Sequence, residues 1–523
     1  MLATATAVHP MSEAGAFAPV YEKLDEIIAR WRASGPMKHS DLEELLFKEI
    51  LEVGRRLYQG ALDERGPGAV TEPVIDADGQ VHPDQRLNTR CLMTRFGPVE
   101  VNRIGYGLPG QGSLHPLDAE LNLPPEFYSH SLRRLAAESA AKNSFDELVK
   151  SLSETTGAEV PKRQAEQLIR RGAQDFEPFY EQQRAASARE VKATSEILAL
   201  SCDGKGVPML KADLREETRK AAEERKLRPD HRPSKDQKAH SKRMGTVAAV
   251  YTIAPFVRTP EQIVREFKPV HEVLPARPRP EDKRVWASIK HPPDEIISQA
   301  FEEALRRDPQ RTKRWIALVD GNETQLGLLL NAAEETSVEL TIILDLIHVL
   351  GYLWKAARVF HPAEDHKAEI WVRERLLEIL RGRSSQVAAG MTRSATKRGL
   401  SAKEREPVNK CAHYLIKYRE FLRYDQYLTA GYPIATGVIE GACRYLVKDR
   451  MEITGARWSL EGAEAVLRLR SLRASGDFDE YWEFHLQQEY KRNHQALYGK
   501  GQVPLPNSQP GGKTKASHLR LVK

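Results

Sequence analysis

Ile342-Ile343-Leu344-Asp345-Leu346-Ile347-His348-Val349-Leu350-Gly351-Tyr352-Leu353-Trp354 is the stretch on which the reading of the fold turns. It opens as a β-rich apolar run and passes without a break into helical spacing. Apolar residues then recur at Leu346, Leu350, Leu353, Ala357 and Phe360, which places them on one helix face. Asp345 and His348 sit at the switch. The carboxyl ends of strands are where α/β proteins bind ligands. Two similar ends lie upstream, Leu198-Ala199-Leu200-Ser201-Cys202-Asp203-Gly204 and Ile316-Ala317-Leu318-Val319-Asp320-Gly321-Asn322. Each is an apolar run closing on Asp-Gly. The expectation is that these ends together build one acidic, metal-binding site.

Outward from that stretch, the core is expected to start near Ile197, with strand one ending at Asp203. The basic stretch 205–243 interrupts it. Strand two covers Met244 to Ile253, and residues 256–293 read as irregular because they are rich in Pro and charge. A helix over 294–307, a strand from Trp315 to Val319, a helix over 324–335 and a strand over 338–344 follow. This order suits a mixed α/β layer architecture. Residues 362–432 lack strand signals and read as an all-helical insertion, with helices at Ile370–Leu380 and Val408–Leu422. Its basic loops carry Arg383, Arg393, Lys397, Arg398, Lys403 and Arg405. The core resumes over 433–485 with a helix, Gly437 to Lys448. There Glu440, Arg444 and Lys448 fall at i, i+4 and i+8 on one stripe. A second helix is expected over 459–473, and residues 486–523 read as a loose basic tail.

Upstream, residues 1–110 hold a loose leader, a helix from Val20 to Trp31 and a longer one from Asp41 to Leu62. A hairpin follows over Cys91–Ile104, with Gly97-Pro98 as its turn. The helix pair fits either a dimerisation element or ordinary packing. Residues 111–192 read as helical. Ser144 with Glu147 is a capping box, and Pro161 opens the next helix. Two short helices joined through Thr155-Thr156-Gly157 resemble a helix-turn-helix. The second offers Lys162, Arg163, Gln164, Gln167, Arg170 and Arg171 on its outer face, side chains suited to phosphates and to base edges in a major groove.

The 523 residues, with 41% hydrophobic content, exclude a mostly disordered chain. The formal net charge of +6 is modest, but its distribution is uneven. Residues 205–243 hold 13 Lys/Arg against 7 Asp/Glu, and residues 491–523 hold 7 Lys/Arg and no acid. Basic tracts beside an acidic site point to a polyanionic partner. The cysteines Cys91, Cys202, Cys411 and Cys443 are scattered without a CxxC pair, which argues against structural zinc or a disulfide framework. No apolar run reaches a membrane span, so a soluble, intracellular protein is expected.

Three carboxylates from separate elements suffice to hold Mg²⁺, a hard ion that prefers oxygen ligands. Two such ions suit phosphodiester cleavage and strand transfer. Asp203, Asp320 and Glu440 are the candidates. Each Asp-Gly alone is only a turn signal, and Asp345 with His348 alone is an N-cap beside a core histidine. Glu440 with Arg444 alone is an i, i+4 salt bridge. The combination and order of the pieces carry the reading.

Asp203-Gly204-Lys205-Gly206, the run Trp315 to Asn322, Leu344 to Trp354, and Gly437 to Arg450 with Thr454-Gly455-Ala456-Arg457-Trp458 resemble bacterial insertion-sequence transposases of the Kra type. The resemblance spans about residues 85–490. It implies an RNase H-like DDE catalytic core, distantly Mutator-like, with an all-helical insertion after a mainly helical N-terminal DNA-binding region. The implied domains are 1–110, 111–192, 193–361 and 433–485 for the core, 362–432 for the insertion and 486–523 for the tail. Carried over, the DDE triad falls on Asp203, Asp320 and Glu440. Asp345 and His348 match a supporting Asp-x-x-His motif, and Asp345 competes with Asp320 as the second ligand. The resemblance implies two Mg²⁺ or Mn²⁺ ions, double-stranded DNA as element ends and target, a homodimer or larger assembly, and a bacterial, nucleoid-associated location. Lys162, Arg163, Gln167, Arg170, Arg444, Lys448, Arg450, Arg457 and Trp458 are the expected DNA contacts. Some relatives carry a CxxC finger after the hairpin, but Tyr106 to His115 has no cysteine, so no zinc site is expected. Two other functions fit the same residues: a metal nuclease such as a resolvase, and a domesticated transposase that only binds DNA.

Overall fold

In a computed structural model, residues 15–187, 194–223, 241–267, 276–362, 366–453 and 455–507 are described. The expected leader, apart from Gly15, lies outside them, as do much of the basic stretch 205–243 and the end of the tail. The chain divides into two compact units, residues 1–175 with 479–523, and residues 176–478.

The first unit is helical around one hairpin. Helices Ala18–Ala33 and His39–Arg65 are longer than the apolar spacing predicts. Strands β1 (Asp84–Thr94) and β2 (Gly97–Gly107) pair antiparallel with Thr94 opposite Gly97. The turn is therefore Arg95-Phe96, two residues before the expected Gly97-Pro98. Gly97, at φ +118°, opens the second strand. The capping box forms as expected at the start of helix Phe145–Thr155: Ser144 accepts from the Glu147 amide, and Glu147 accepts from the Ser144 amide. The following helix, Lys162–Gly172, buries Ala165, Leu168 and Ile169. Gly157 between them sits against the hairpin tip. Its amide donates to the Arg95 carbonyl at 2.8 Å, and a Cβ there would lie 2.4 Å from the Phe96 carbonyl oxygen, so only glycine fits.

The expected loose tail is ordered as far as residue 507. Helix Phe478–Asn493 continues past residue 486, and Tyr498 is buried with Val70, Val74, Ile104, Tyr106 and Leu114. One aromatic side chain in a small apolar cluster fixes a stretch whose composition reads as solvated.

The second unit is built on a mixed sheet of β3 (Ile197–Pro208), β4 (Lys242–Ile253), β5 (Glu281–Ser288), β6 (Arg314–Val319) and β7 (Leu340–Leu344), in the order β5-β4-β3-β6-β7. β3, β4 and β5 pair antiparallel; β3, β6 and β7 pair parallel. The strands are near-continuously buried, as expected of a sheet covered on both faces. Helix Pro293–Arg307 leads into β6, helix Glu323–Glu335 connects the parallel strands β6 and β7, and helix Leu346–Phe360 follows β7.

Two expectations are corrected. The stretch 256–293 is not irregular throughout: it contains helix Pro260–Glu266 and the edge strand β5. The short run Arg284-Val285-Trp286-Ala287-Ser288 is hidden in sequence by flanking charge and proline. Strand one also does not end at Asp203. β3 pairs with β4 as far as Pro208, opposite Lys242.

Residues 362–432 are helical among the described residues, with helices His366–Leu380, Ser384–Lys397, Glu406–Lys417 and Tyr424–Thr429. Arg393 and Lys397 therefore lie on a helix, not in a loop. No helix among the described residues is long and apolar enough to cross a membrane.

Candidate active site

The site begins with unequal strand lengths. The last β3–β6 pair is Ser201 with Leu318, while β3 continues beside β4. Asp203 thus lies on the part of β3 that outruns β6, half-buried and held by backbone pairing to Val247. Its Oδ1 accepts from the Gly204 amide at 2.6 Å, and its Oδ2 accepts from the Cys443 thiol at 3.2 Å. Burial is the main cause that raises the Asp203 carboxyl; Asp320 raises it further, while Cys443, the Gly204 amide and Lys205 oppose.

Asp320 follows the last residue of β6. Its Oδ1 accepts from the Asn322 amide at 2.8 Å, and Asn322 caps helix Glu323–Glu335. Gly321 adopts φ +94°, a conformation that favours glycine. A Cβ there would lie 3.1 Å from the Tyr414 ring and 3.2 Å from the Tyr418 ring. Both tyrosines reach in from the helical insertion. Tyr414 Oη donates to the Asp320 carbonyl at 2.9 Å and Tyr418 Oη to the Gly321 carbonyl at 2.6 Å.

Two further tyrosines hold β7, which is a sheet edge. Tyr424 Oη donates to the Leu344 carbonyl at 2.7 Å and Tyr427 Oη to the Ile342 carbonyl at 3.1 Å. The Tyr424 and Tyr427 hydroxyls thus occupy carbonyls that an open edge leaves unpaired.

Asp345 is fully buried. Its carboxylate accepts the Ile347 and His348 amides at 3.3 and 3.1 Å, capping helix Leu346–Phe360. It also accepts the Thr436 amide at 2.9 Å. Thr436 in turn precedes the helix bearing Glu440, accepts the Glu440 amide on its carbonyl and bonds to the Glu440 carboxylate. Asp345 therefore joins β7 to the Glu440 helix through backbone groups, and its oxygens are committed there.

Glu440 is exposed on helix Gly437–Ala442. Burial of its surroundings raises its carboxyl first, Asp345 and Asp203 add to the rise, and His348 opposes it. Cys443, one turn on, is buried against Asp203; burial first, and then Asp203, push its thiol well above the usual range. The thiol is thus a protonated donor. The expected stripe of Glu440, Arg444 and Lys448 is modified, because Cys443–Lys448 is π-helical. A π turn adds a residue per turn and rotates Lys448 off the i+8 line.

Asp320 thus acts electrostatically on Asp203, and Asp345, His348 and Asp203 act on Glu440. Asp203, Asp320 and Glu440 do not hold their oxygens within 4.8 Å of one another; among the described residues that closeness occurs only at Asp175, His485 and Glu489. No Lys or Arg among the described residues forms an ion pair with the three carboxylates. An open cleft of about 760 Å³ joins Asp320 and His348 to Tyr352, His413, Tyr414 and Lys417; Asp203 and Glu440 do not line it.

Among the expected DNA contacts, Arg163, Gln167 and Arg170 are exposed on helix Lys162–Gly172. Lys162 pairs with Asp146 at 2.8 Å, while Gln164 bonds to the Tyr128 hydroxyl and Arg171 pairs with Glu126. Arg444, Lys448 and Arg457 are exposed. Arg450 and Trp458 are corrected to packing residues. Both are buried, the Arg450 guanidinium lies 4.7 Å from the Trp458 ring centroid, and the indole N–H donates to the Met451 carbonyl at 3.0 Å.

Cys443, Thr436 and the four tyrosines were not singled out from sequence. Cys443 alone left a signal, standing at i+3 from Glu440 on the inward face. No protein-family model and no curated protein matches the chain.

Proposed function

We propose that the chain is a metal-dependent DNA transposase with an RNase H-like DDE core, resembling bacterial insertion sequences of the Kra type. The observation that carries this reading is the group of carboxylates made by Asp203 on β3, Asp320 just after β6 and Glu440 on helix Gly437–Ala442. Two of them, Asp203 and Glu440, are raised by burial and by neighbouring acids, and no ion pair relieves them. Clustered carboxylates without a paired cation are a site that divalent cations stabilise. The sheet order supports the fold reading, since three antiparallel strands followed by two parallel ones, in the order 3-2-1-4-5, is what such a core needs. That support is by analogy of fold.

Asp203, Asp320 and Glu440 fit Mg²⁺ or Mn²⁺ by donor chemistry, all three being hard oxygen ligands. The ions would supply charge neutralisation and an activated oxygen nucleophile. The chain's own residues do the positioning. Asp203 is fixed by β3–β4 pairing and by the Cys443 thiol. Asp320 is fixed by its Asn322 turn and the Tyr414 and Tyr418 hydroxyls. Asp345 is a positioning residue here, not the second ligand, because its oxygens are bonded to three amides. His348, exposed at the start of its helix, lowers the cost of the Glu440 charge. Arg444 and Lys448 offer exposed cations for DNA phosphates, and the outer face of helix Lys162–Gly172 offers contacts to element ends.

The test is cleavage and joining of labelled double-stranded DNA carrying the terminal repeats that flank the coding sequence, with Mg²⁺ or Mn²⁺. The expected result is end-specific cutting followed by joining to target DNA, lost in Asp203→Asn, Asp320→Asn and Glu440→Gln with end-binding retained. Cutting without joining would make the chain a nuclease or resolvase. Binding with no cutting by the wild type would overturn the enzymatic reading.

A further inference from the structure

The β1–β2 hairpin of the first unit brings two arginines to one place. Arg90 on β1 stands opposite Val101 on β2, and Arg103 lies two residues beyond Val101. The two are diagonal neighbours on one face of the ribbon, within reach of long side chains. Both meet the same carboxylate. Arg103 Nη1 donates to Asp118 Oδ2, and Arg90 Nη1 lies 3.5 Å from that oxygen. Asp118 is buried on the short helix Pro116–Glu120. One acid thus serves two guanidiniums. Glu126 also favours the Arg90 charge, but its carboxylate pairs with Arg133 and Arg171. Arg103 Nε is buried without a hydrogen-bond partner.

A cavity of about 360 Å³ opens beside these groups, with Arg90, Arg103, His115, Asp118, His494 and Tyr498 in its wall. Its lining residues hold two arginines against one acid. The strain of that imbalance shows on each basic group. Burial first, then Arg90, lowers Arg103 to about 10, and burial lowers Arg90. Burial, then Arg103 and Arg90, hold His115 down to about 4. Burial also lowers His494, whose Nε2 bonds to the Leu123 carbonyl at 2.9 Å. Neither histidine therefore adds charge at neutral pH, and the pocket keeps one cation in excess.

We infer that this pocket binds the phosphate group of a small molecule. The flat guanidinium fork matches phosphate oxygens, and a dianion would offset the charge that Asp118 leaves over. The volume lies at the low end of small-molecule pockets. Phosphate alone fills only a fraction of it, and Leu123 and Pro125 offer apolar wall to an attached organic group. The recess selects a free ligand. Both arginine side chains are only 16% exposed, whereas the phosphates of a duplex meet side chains that protrude. The inference is independent of the metal chemistry proposed for the other unit.

Phosphorus NMR of the full chain titrated with inorganic phosphate, in EDTA and at constant ionic strength set by chloride, tests it. The expected result is saturable binding that Arg103→Gln weakens at least about tenfold, with unchanged far-UV circular dichroism. Asp118→Asn removes the competing internal anion and is expected to tighten binding a few-fold, a gain that a purely structural role for Asp118 does not produce. This second variant decides the matter if Arg103→Gln fails to fold. No saturable binding by the wild type overturns the inference, as does equal affinity in Arg103→Gln or an Asp118→Asn variant that binds no more tightly. Competitive displacement of the bound phosphate by a short DNA duplex would assign the pocket to nucleic acid and overturn the small-molecule reading.

Discussion

The two units each contain a cluster of carboxylates, and the clusters are opposite in character. In the first unit, Asp175 accepts from Arg492 at 3.0 Å and pairs with His485 Nδ1 at 2.6 Å. Glu489 accepts from the fully buried Arg133 at 2.8 Å and from Arg492 at 2.7 Å. Despite burial, these partners lower Asp175, and they hold Glu489 at about 2. In the second unit Asp203 and Glu440 are raised, and each is raised in part by another acid. Closeness of ligand atoms alone favours the first cluster as a metal site. Charge favours the second, because a cation at the first would compete with two arginines already in place. The difference teaches that a carboxylate cluster is read by what balances it: internal cations make a structural network, and unbalanced acids make a site for something from outside.

The largest expected effect comes from removing an unbalanced acid. Asp203→Asn or Glu440→Gln is expected to slow end cleavage by roughly 10²–10³-fold, the loss typical of one electrostatic stabiliser. The same changes are expected to raise the thermal midpoint without metal. A carboxyl raised in the folded state costs stability as pH rises through its folded value, and the cost is absent below its ordinary value. At neutral pH an amide removes that cost. A lower midpoint for both variants in metal-free buffer would break the contrast.

Next in size is the balanced cluster. Glu489→Gln leaves the buried Arg133 with only its longer ion pair to Glu126 at 3.5 Å and is expected to destabilise by about 3 kcal/mol, measured by urea unfolding, with cleavage per folded molecule unchanged. The pH dependence has the opposite sign to that of Asp203. Glu489, held at about 2 against an ordinary 4.5, contributes stability above its ordinary value, and that contribution is lost as pH falls towards 2. A loss of stability between neutral pH and about pH 2 that is no larger for the wild type than for Glu489→Gln would contradict this.

Asp345→Ala sharpens the distinction between ligand and support. Removing an N-cap costs about 1 kcal/mol, and losing an orienting group typically costs 10–100-fold in activity or metal affinity. The variant is expected to bind metal more weakly, not to lose it, when assayed by cleavage against Mg²⁺ concentration. The smallest effect is expected from Tyr414→Phe. It removes one hydroxyl from the Asp320 carbonyl, worth about 1 kcal/mol, and shifts the Mg²⁺ needed for half-maximal cleavage a few-fold upward. An unchanged Mg²⁺ requirement would reduce the insertion's tyrosines to packing.

How much of this was legible in sequence follows the range of each interaction. The stretch 342–354 could be read because strand and helix periods differ locally and meet at Asp345. The ends at Asp203 and Asp320 could be located but not described. Asp-Gly reads as a turn, yet β4 lies alongside and carries β3 past Asp203 to Pro208. That pairing depends on residues about 40 positions away. β5 was missed because five buried residues sit among prolines and charges. The tyrosine hydroxyls on Ile342, Leu344, Asp320 and Gly321 cross 80–97 positions, and nothing local marks them. The π turn that displaces Lys448 likewise leaves no mark in the spacing. Trp458 fits a core tryptophan as well as a base-stacking one in sequence, and the structure buries it; Arg450, eight positions away, meets its ring only in the fold.

The most direct test of the account is calorimetric titration of Mn²⁺ into the full chain at neutral pH. Wild type would be compared with Asp203→Asn, Asp320→Asn, Glu440→Gln and Glu489→Gln. The account predicts that wild type and Glu489→Gln bind the ion and that the other three bind it far more weakly. Loss of binding in Glu489→Gln with binding intact in the Asp203, Asp320 and Glu440 variants would place the metal at the other cluster and contradict the account.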